Sequence, residues 1–556
     1  MRKYTLWLSL LIIVMMAIWG MRALIHPGFY TSHDGWHQVA RLFHFDAAIR
    51  DGQFPPRWSG GLLNGFGYPL FIFSYHLPWW IAEPFVLLGV TIFDSIKLVF
   101  LISYIISGIV MFLFIRDLWG KKAGLTAALI YLLVPYRLAT ILVRANIGEA
   151  VSFMCFPLIF WGLYRLSKKA DWISIFIGAL GIAGSLLSHV MVIGLFFLLG
   201  LSYFLYLLFQ HPNKKIFFLL ALLMGLLGVG LASYYVLPAF FYKPITVFAE
   251  LYHSLYKNHF TPISKLIYSP WGYAAIGQPG EMSRQIGIIV WFIVSLCSMV
   301  VIFLLANKKR LQKSKHILLG IILITNFIFA VFMMTAASSS VWKLIEPLAL
   351  IDFPWRFLAL TTFVGSTLVG WLMYSLKNTK LQLVVAIVLF LVTVYTTRNY
   401  MRVNQYTDIP LSLYVASELT TNTDDEYLPK WVSRQKVKEE KPRIQMDDAK
   451  VQLNKQTSNA IWFSYETTKS TTAYIHHMYF PQWKAFIKGT ATHDNDQVMV
   501  PTRAGEGGME LDLPSDKRSV ILLYQPPLIM TIGNLITVIS WIILIGIFIK
   551  LSKKKI

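Results

Sequence analysis

Twelve apolar stretches, separated by short basic clusters, constrain this chain more than any other feature of its 556 residues. They lie at about 5–25, 96–115, 124–143, 150–167, 172–188, 190–208, 216–238, 286–305, 317–336, 357–376, 381–397 and 526–549, each close to the roughly 20 residues that one helical bilayer crossing needs. With 56% hydrophobic and 14% charged residues, no single soluble core could bury the apolar surface present. The expected fold is a polytopic α-helical membrane protein of about 12–13 crossings.

The formal net charge of +22 raises nucleic acid as a partner, but the placement of the charge excludes it. The basic residues form clusters between apolar stretches: Arg2/Lys3, Arg116/Lys121/Lys122, Arg165/Lys168/Lys169, Lys214/Lys215, the run at 308–315, Lys377/Lys380 and the tail Lys550 to Lys555. Such clusters are topology signals. If all face the cytoplasm, an even number of crossings separates each neighbouring pair, and both termini are cytoplasmic in a multi-pass plasma-membrane protein. Cys155 and Cys297 both sit in apolar runs, so neither a disulfide framework nor a Cys-based metal site is expected.

This orientation divides the chain into a transmembrane domain (1–397) with a first outer loop at 26–95, an extracytoplasmic β-rich domain (398–525), and a final crossing with a basic cytoplasmic tail (526–556). Within the first loop, residues 70–93 are apolar enough to cross, yet a crossing there would place the Arg116–Lys122 cluster outside. Pro78, Trp79, Trp80 and Pro84 favour a broken interfacial or re-entrant piece. Further outer segments are 144–149 (RANIGE), 239–285 and 337–356, the last followed through DFPWRF into the next crossing. In 398–525, the alternating stretches AIWFSYE, TAYIHHMYF, WKAFIKG, DQVMVP, MELDLP and SVILLYQ predict six or seven strands, and hence a β-sandwich of about 100 residues.

Most of the unusual polar residues fall in these outer segments. In a helix begun near Asp34, the side chains of Asp34, His37, Arg41 and His44 share one face, with His33 beside them. A carboxylate at the membrane edge can act as a general base, and histidines can orient it or help to hold a divalent ion. The same pattern also suits a solvated amphipathic helix lying on the headgroups. Arg57 and Trp58, in GQFPPRW, suit either a phosphate or sugar contact or an aromatic belt.

The stretches HDGWHQVARL, DGQFPPRW, FGYPLF, VRANIGEA, SHV and DFPWRF make the chain similar to the bacterial membrane family described as "6-pyruvoyl-tetrahydropterin synthase-related, membrane domain". That family resembles the GT-C class of integral-membrane glycosyltransferases, and YFPQWKAFIKG resembles a motif of YfhO-type membrane proteins of the same broad class. The likeness covers most of the chain, and the first-loop motif is its specific part. It implies a GT-C-like fold and a hexosyltransferase-like activity. A sugar would pass from a polyprenyl-phosphate donor to an extracytoplasmic acceptor, a cell-envelope polymer or glycolipid, with Asp34 as the catalytic acid residue of the first loop. Many GT-C enzymes carry a second acid in a DxD-like pair. Here His33 precedes Asp34, which leaves open a divalent cofactor (Mg or Mn) held by Asp34, His33 or His37.

A leaving lipid phosphate needs cationic donors, and Arg binds phosphate bidentately. Arg356, Arg144 and Arg57 are the candidates, in that order, although each also suits snorkelling to headgroups. Glu149 is expected as the ion-pair partner of Arg144, with a second catalytic acid as the alternative. His189 sits at a predicted outer turn near the substrate. Tyr242, Lys243, Trp271 and Tyr273 are candidates for a lid, and Tyr479 and Trp483 for sugar stacking or for core packing. The other function classes that suit a dozen helices are a transporter or flippase of lipid-linked saccharide and a non-catalytic envelope-assembly protein.

Overall fold

The computed structural model describes residues 2–552 apart from 308–315, 416–424, 438–440, 489–496 and Glu506. The basic run at 308–315 and Lys553 to Lys555 of the tail lie outside the described residues. Among those described, eight helices are long and apolar enough to cross a membrane: Ile92–Trp119, Ile147–Lys168, Lys214–Ile245, Ile288–Ala306, Ile317–Met334, Pro354–Ser375, Thr379–Tyr400 and Leu528–Gly546. A bent pair at Lys121–Leu133 and Pro135–Leu142 adds a ninth, and three shorter apolar helices cover Leu6–Gly20, Trp172–Ser188 and Phe197–Gln210. All twelve apolar stretches are therefore helical, in the manner of a polytopic membrane protein.

Three of the stretches depart from single straight helices. At 124–143, helix α6 (Lys121–Leu133) and helix α7 (Pro135–Leu142) meet at a bend of 45°. Pro135 has no N–H to continue the ladder, and the residue before a proline is pushed out of the helical region, as Val134 is at φ −61° and ψ 145°. At 190–208 the chain breaks at Phe196, between Val190–Leu195 and Phe197–Gln210. The first helix, Arg2–Gly20, stops short of 25 and continues as a 3-10 turn at Arg22–Ile25. The segment at 70–93 is also broken: Leu70–Phe73 and Leu77–Leu87 form separate helices, with Pro78 in the first turn of the second.

Burial ranks the helices. Pro354–Ser375 is 94% buried and forms the centre of the bundle, whereas Thr379–Tyr400 is 11% buried and forms its rim. Close approach is set by small residues, as is usual for helices packed in lipid. A Cβ added to Gly162 would lie 2.5 Å from Gly178 Cα, so the helices Ile147–Lys168 and Trp172–Ser188 touch backbone to backbone there.

One charge inside the bundle escapes the sequence reading. Arg137 in α7 is fully buried; it donates to Ser107 Oγ at 2.6 Å, and its guanidinium lies 4.2 Å from the Phe153 ring and 5.0 Å from that of Tyr104. This aromatic cage replaces the carboxylate that a buried arginine ordinarily needs.

The first loop is tied to the C-terminal region from its start, because β1 (Phe29–Tyr30) pairs antiparallel with β2 (Tyr406–Thr407). The sheets proper begin at Ile444 rather than 398. One contains β3 (Ile444–Met446), β6 (Thr471–Ile475), β10 (Met509–Leu513) and β9 (Thr502–Arg503), in that order. The other contains β4 (Ala449–Thr457), β5 (Ala460–Thr467), β11 (Asp516–Tyr524), β7 (Trp483–Ile487) and β8 (Gln497–Met499). All their pairings are antiparallel. The six expected strands are present. The extra ones are two short strands and β4, a polar edge strand that buries no residue and so lacks an apolar alternation to read.

The tip of the β4–β5 hairpin fastens this region to the first loop. Ser458 N donates to Asp51 Oδ2 at 2.7 Å, and Gln53 Nε2 donates to Ser458 Oγ at 2.8 Å. A side chain at position 60 would place Cβ 2.6 Å from the Ser458 carbonyl oxygen, so the contact requires Gly60. Beside it, fully buried Trp58 donates to His477 Nε2 at 3.1 Å and stacks on Tyr524 at 5.4 Å.

Candidate functional site

Helix α2 (Gly35–Arg50) starts immediately after Asp34, which occupies the N-cap position without making a side-chain cap bond. What fixes Asp34 comes from elsewhere in the chain. Its backbone N–H donates to Arg144 O at 2.8 Å, and that of His33 donates to Val143 O at 3.2 Å, so the first loop runs along the RANIGE turn. In that turn Ala145 takes a left-handed φ of 51°, and Asn146 uses both ends of its amide. Its Oδ1 caps Ile147–Lys168 by accepting from Glu149 N at 3.0 Å, and its Nδ2 donates to Asp34 Oδ2 at 3.0 Å.

Asp34 opens onto a cavity of about 510 Å³, walled by segments far apart in sequence. The first loop contributes His33, Asp34, His37 and Arg41; the RANIGE turn contributes Arg144 and Asn146. His189, Lys243, Asp352 and Arg356 come from helix ends, and Glu426 and Tyr427 from the C-terminal region. The helices that supply this wall do so with the ends opposite their basic clusters: Ile147–Lys168 ends at Arg165 and Lys168, and Lys214–Ile245 starts at Lys214 and Lys215.

The cations in the wall are held in different ways. Arg144 donates to Glu149 Oε2 at 2.7 Å and lies 4.6 Å from the Trp355 ring. Burial works against its charge most strongly, but the Glu149 carboxylate, together with Tyr136 and Asp34, raises the guanidinium above its ordinary value. Arg356 donates to Asp352 Oδ2 at 2.7 Å and to His189 Nε2 at 2.6 Å. A guanidinium can only donate, so His189 accepts and carries no proton on Nε2. Burial, with the charges of Arg356, Arg144 and Lys243, holds this imidazole well below its ordinary pKa, and it is neutral. Burial raises Asp352, against the pull of Arg356. The Lys243 ammonium lies 3.5 Å from the Phe248 ring centroid, and no hydrogen bond or ion pair joins it among the described residues.

Of the sequence candidates, His33, Asp34, His37, Arg41, Arg144, His189 and Arg356 line this one cavity. Three do not. Glu149 is fully buried behind the wall as the ion-pair partner of Arg144. His44 lies beyond Arg41 on α2 and faces a separate groove beside Gly61 and the β4–β5 hairpin. Arg57 points toward the last helix, donating to Asn534 Oδ1 at 3.0 Å beneath the Tyr234 ring, and burial brings its guanidinium down to about 10.

The lid candidates also separate. Lys243 lines the cavity, and Tyr273 lends its carbonyl oxygen to His33 Nε2 at 2.7 Å. Tyr242 packs on Phe480, and Trp271 lies under the Arg402 guanidinium at 4.2 Å. Neither aromatic candidate for sugar stacking lies at the cavity: Trp483 is 1% exposed in the sheet core, and Tyr479 packs against Trp431. The sequence reading missed Asn146, Asp352 and Glu426. The first two carried a signal, because Asn146 is a helix-capping residue and Asp352 stands one turn before Arg356.

Among the described residues, no three His, Cys, Asp or Glu side chains converge to suit a metal ion.

No family model matches the chain. Over 192 residues it is 26% identical to an uncharacterized protein of Lactococcus lactis subsp. cremoris (strain MG1363). The match covers 34% of this chain and 31% of the relative, so the chain spans under a third of that protein's length.

Proposed function

We propose that this chain is a membrane glycosyltransferase of GT-C type, moving a sugar from a polyprenyl-phosphate donor to a cell-envelope acceptor at the outer face of the plasma membrane. The observation that carries this reading is the meeting of Asp34 and Arg356, more than three hundred residues apart, in one cavity at the helix ends. The cavity size falls within the roughly 300–1,000 Å³ typical of small-molecule sites. The basic clusters at the opposite helix ends support an outward-facing mouth.

A donor with an isoprenoid tail keeps its phosphate at the interface, so the groups acting on it must sit at that depth. Asp34 would take the proton from the acceptor hydroxyl as its oxygen attacks the anomeric carbon. The bond from that carbon to the phosphate oxygen breaks in the same step, inverting the configuration, and Arg356, Arg144 and Lys243 take up the negative charge left on the phosphate. Neutral His189 fixes the Arg356 guanidinium without adding competing charge.

Asp34→Asn tests the reading, because the amide keeps the size of the carboxylate but cannot act as a base. The reading requires transfer from a polyprenyl-phosphate-linked hexose to fall by about 10²–10⁴-fold with donor binding kept. Undiminished transfer in a variant that folds and binds donor would refute it, and a transporter or scaffold would be indifferent to the change.

A further inference from the structure

The five-stranded sheet turns one face into the core of the β-region and the other outward, and the outward face carries an apolar band. Lys455, Trp462, Ile521, Phe486 and Val498 stand opposite one another across all five strands, a row about 19 Å long at a strand spacing of about 4.8 Å. We propose that this band docks on the anionic lipid surface around the last crossing, which makes the β-region a peripheral membrane-binding surface. The inference rests on Leu528–Gly546 as a crossing and is independent of the reaction assigned to the cavity.

Polarity on this face is graded along the strands. Trp462, Ile521 and Phe486 are partly exposed and stand outside the buried core, and Val498 is 59% exposed. One rung toward Tyr524 lie Ala460 and Leu523, both apolar. In the opposite direction the next rungs hold Gln452, Ser464 and Ser519, then Lys450, Glu466 and Lys517. The solvated face of an antiparallel sheet is polar along its whole length, so an apolar half confined to one end marks a part of the face that meets something other than water.

That end is the one nearest the membrane. Only residues 525–527 join β11 to the last crossing, whose first residue, Leu528, is already 75% exposed, as a lipid-facing position is. At the same end, Ser458 of the hairpin tip is bonded to Asp51 and Gln53, and Arg57 of that loop reaches Asn534 in the second turn of the crossing. Between them Phe54 is 82% exposed, an aromatic ring at a depth where bilayer interfaces favour one. Charge then selects the lipid class. On the outward face the described strands carry Lys450, Lys455, Lys484 and Lys517 against Glu466 as the single carboxylate, and alternation adds Lys488 just past β7. Lys455 Nζ lies 5.2 Å from the Trp462 ring. Ammonium groups on long stems beside Trp and Phe suit phosphate headgroups with the rings at the acyl boundary, and the same lysines would repel a second copy brought face to face.

The test is spin-label accessibility on the full-length chain in nanodiscs of three parts phosphatidylcholine to one part phosphatidylglycerol. Nitroxides are attached through Trp462→Cys, Phe486→Cys or Lys517→Cys, with Cys155→Ala and Cys297→Ala as the background. At 462 and 486, collisions with oxygen, which concentrates in lipid, should outweigh those with a water-soluble nickel chelate, and at 517 the order should reverse. Lys455→Gln together with Lys484→Gln should shift the 486 label toward the aqueous reading, as should discs of phosphatidylcholine alone. All three labelled positions face outward, and the two band positions report independently if one variant fails to fold. Labels at 462 and 486 as open to the nickel chelate as the label at 517 would overturn the proposal. So would a 486 reading indifferent to both lipid charge and the lysine substitutions, shielding of 486 only on addition of poly(glycerol phosphate), or dipolar broadening between the labels of two chains.

Discussion

Asn146 donates a hydrogen bond from its side-chain amide to Asp34 across 112 residues of sequence, at 3.0 Å, while its own oxygen caps the helix that follows. One side chain thereby couples the start of the helix Ile147–Lys168 to the carboxylate of the first loop. Asn146→Ser should keep much of the cap, because Ser is a good N-cap residue, but it is too short to reach Asp34. Transfer activity should fall about tenfold or more with thermal stability nearly unchanged. Asn146→Ala should in addition cost about 1 kcal/mol of stability, read as a lower melting temperature.

The Arg356–Asp352 pair is buried, and breaking it leaves an uncompensated charge. Arg356→Ala should destabilise the protein by about 3–5 kcal/mol in thermal unfolding. Replacing both residues together, Arg356→Met with Asp352→Leu, should recover much of that stability without restoring donor binding. A double variant that binds donor normally would remove Arg356 from the site.

Stability should fall in acid through His44. Its folded value of about 4 lies below the ordinary 6.5, so between these pH values the unfolded chain binds a proton that the folded chain does not. The contribution is fully present above pH 6.5 and is lost as pH falls toward about 4, by up to about 3 kcal/mol at 1.4 kcal/mol per pH unit. Melting temperatures of wild type and His44→Gln should therefore converge as pH is lowered through this window.

Gly60→Val should loosen the β-region from the first loop, because any Cβ at position 60 meets the Ser458 backbone at 2.6 Å. Faster limited proteolysis between 400 and 440, with the helices still protected, is the expected result.

The helices and the polar loops were legible in the sequence because lipid imposes length and charge rules on each segment separately. Six strands were legible for a similar reason, each having an apolar face. What stayed hidden depends on how distant segments meet. Asp34, His37, Arg41 and His44 do share a stripe of α2, but the wall of the cavity ends before His44 is reached. Arg57 and Trp58 suited either a phosphate or sugar contact or an aromatic belt, and the fold places them against the last helix and the sheets instead. Arg137 went unread because nothing local distinguishes a caged arginine within an apolar stretch, whereas Pro135, two residues earlier, announces the bend.

The most direct test of the account is a cryo-electron microscopy structure of the full chain in nanodiscs with polyprenyl phosphate bound. The account predicts the phosphate within about 3 Å of the Lys243 ammonium and the Arg356 guanidinium, with Asp34 facing the adjoining space. Phosphate density outside this cavity, or an Asp34 carboxylate turned away from the bound lipid, would contradict it.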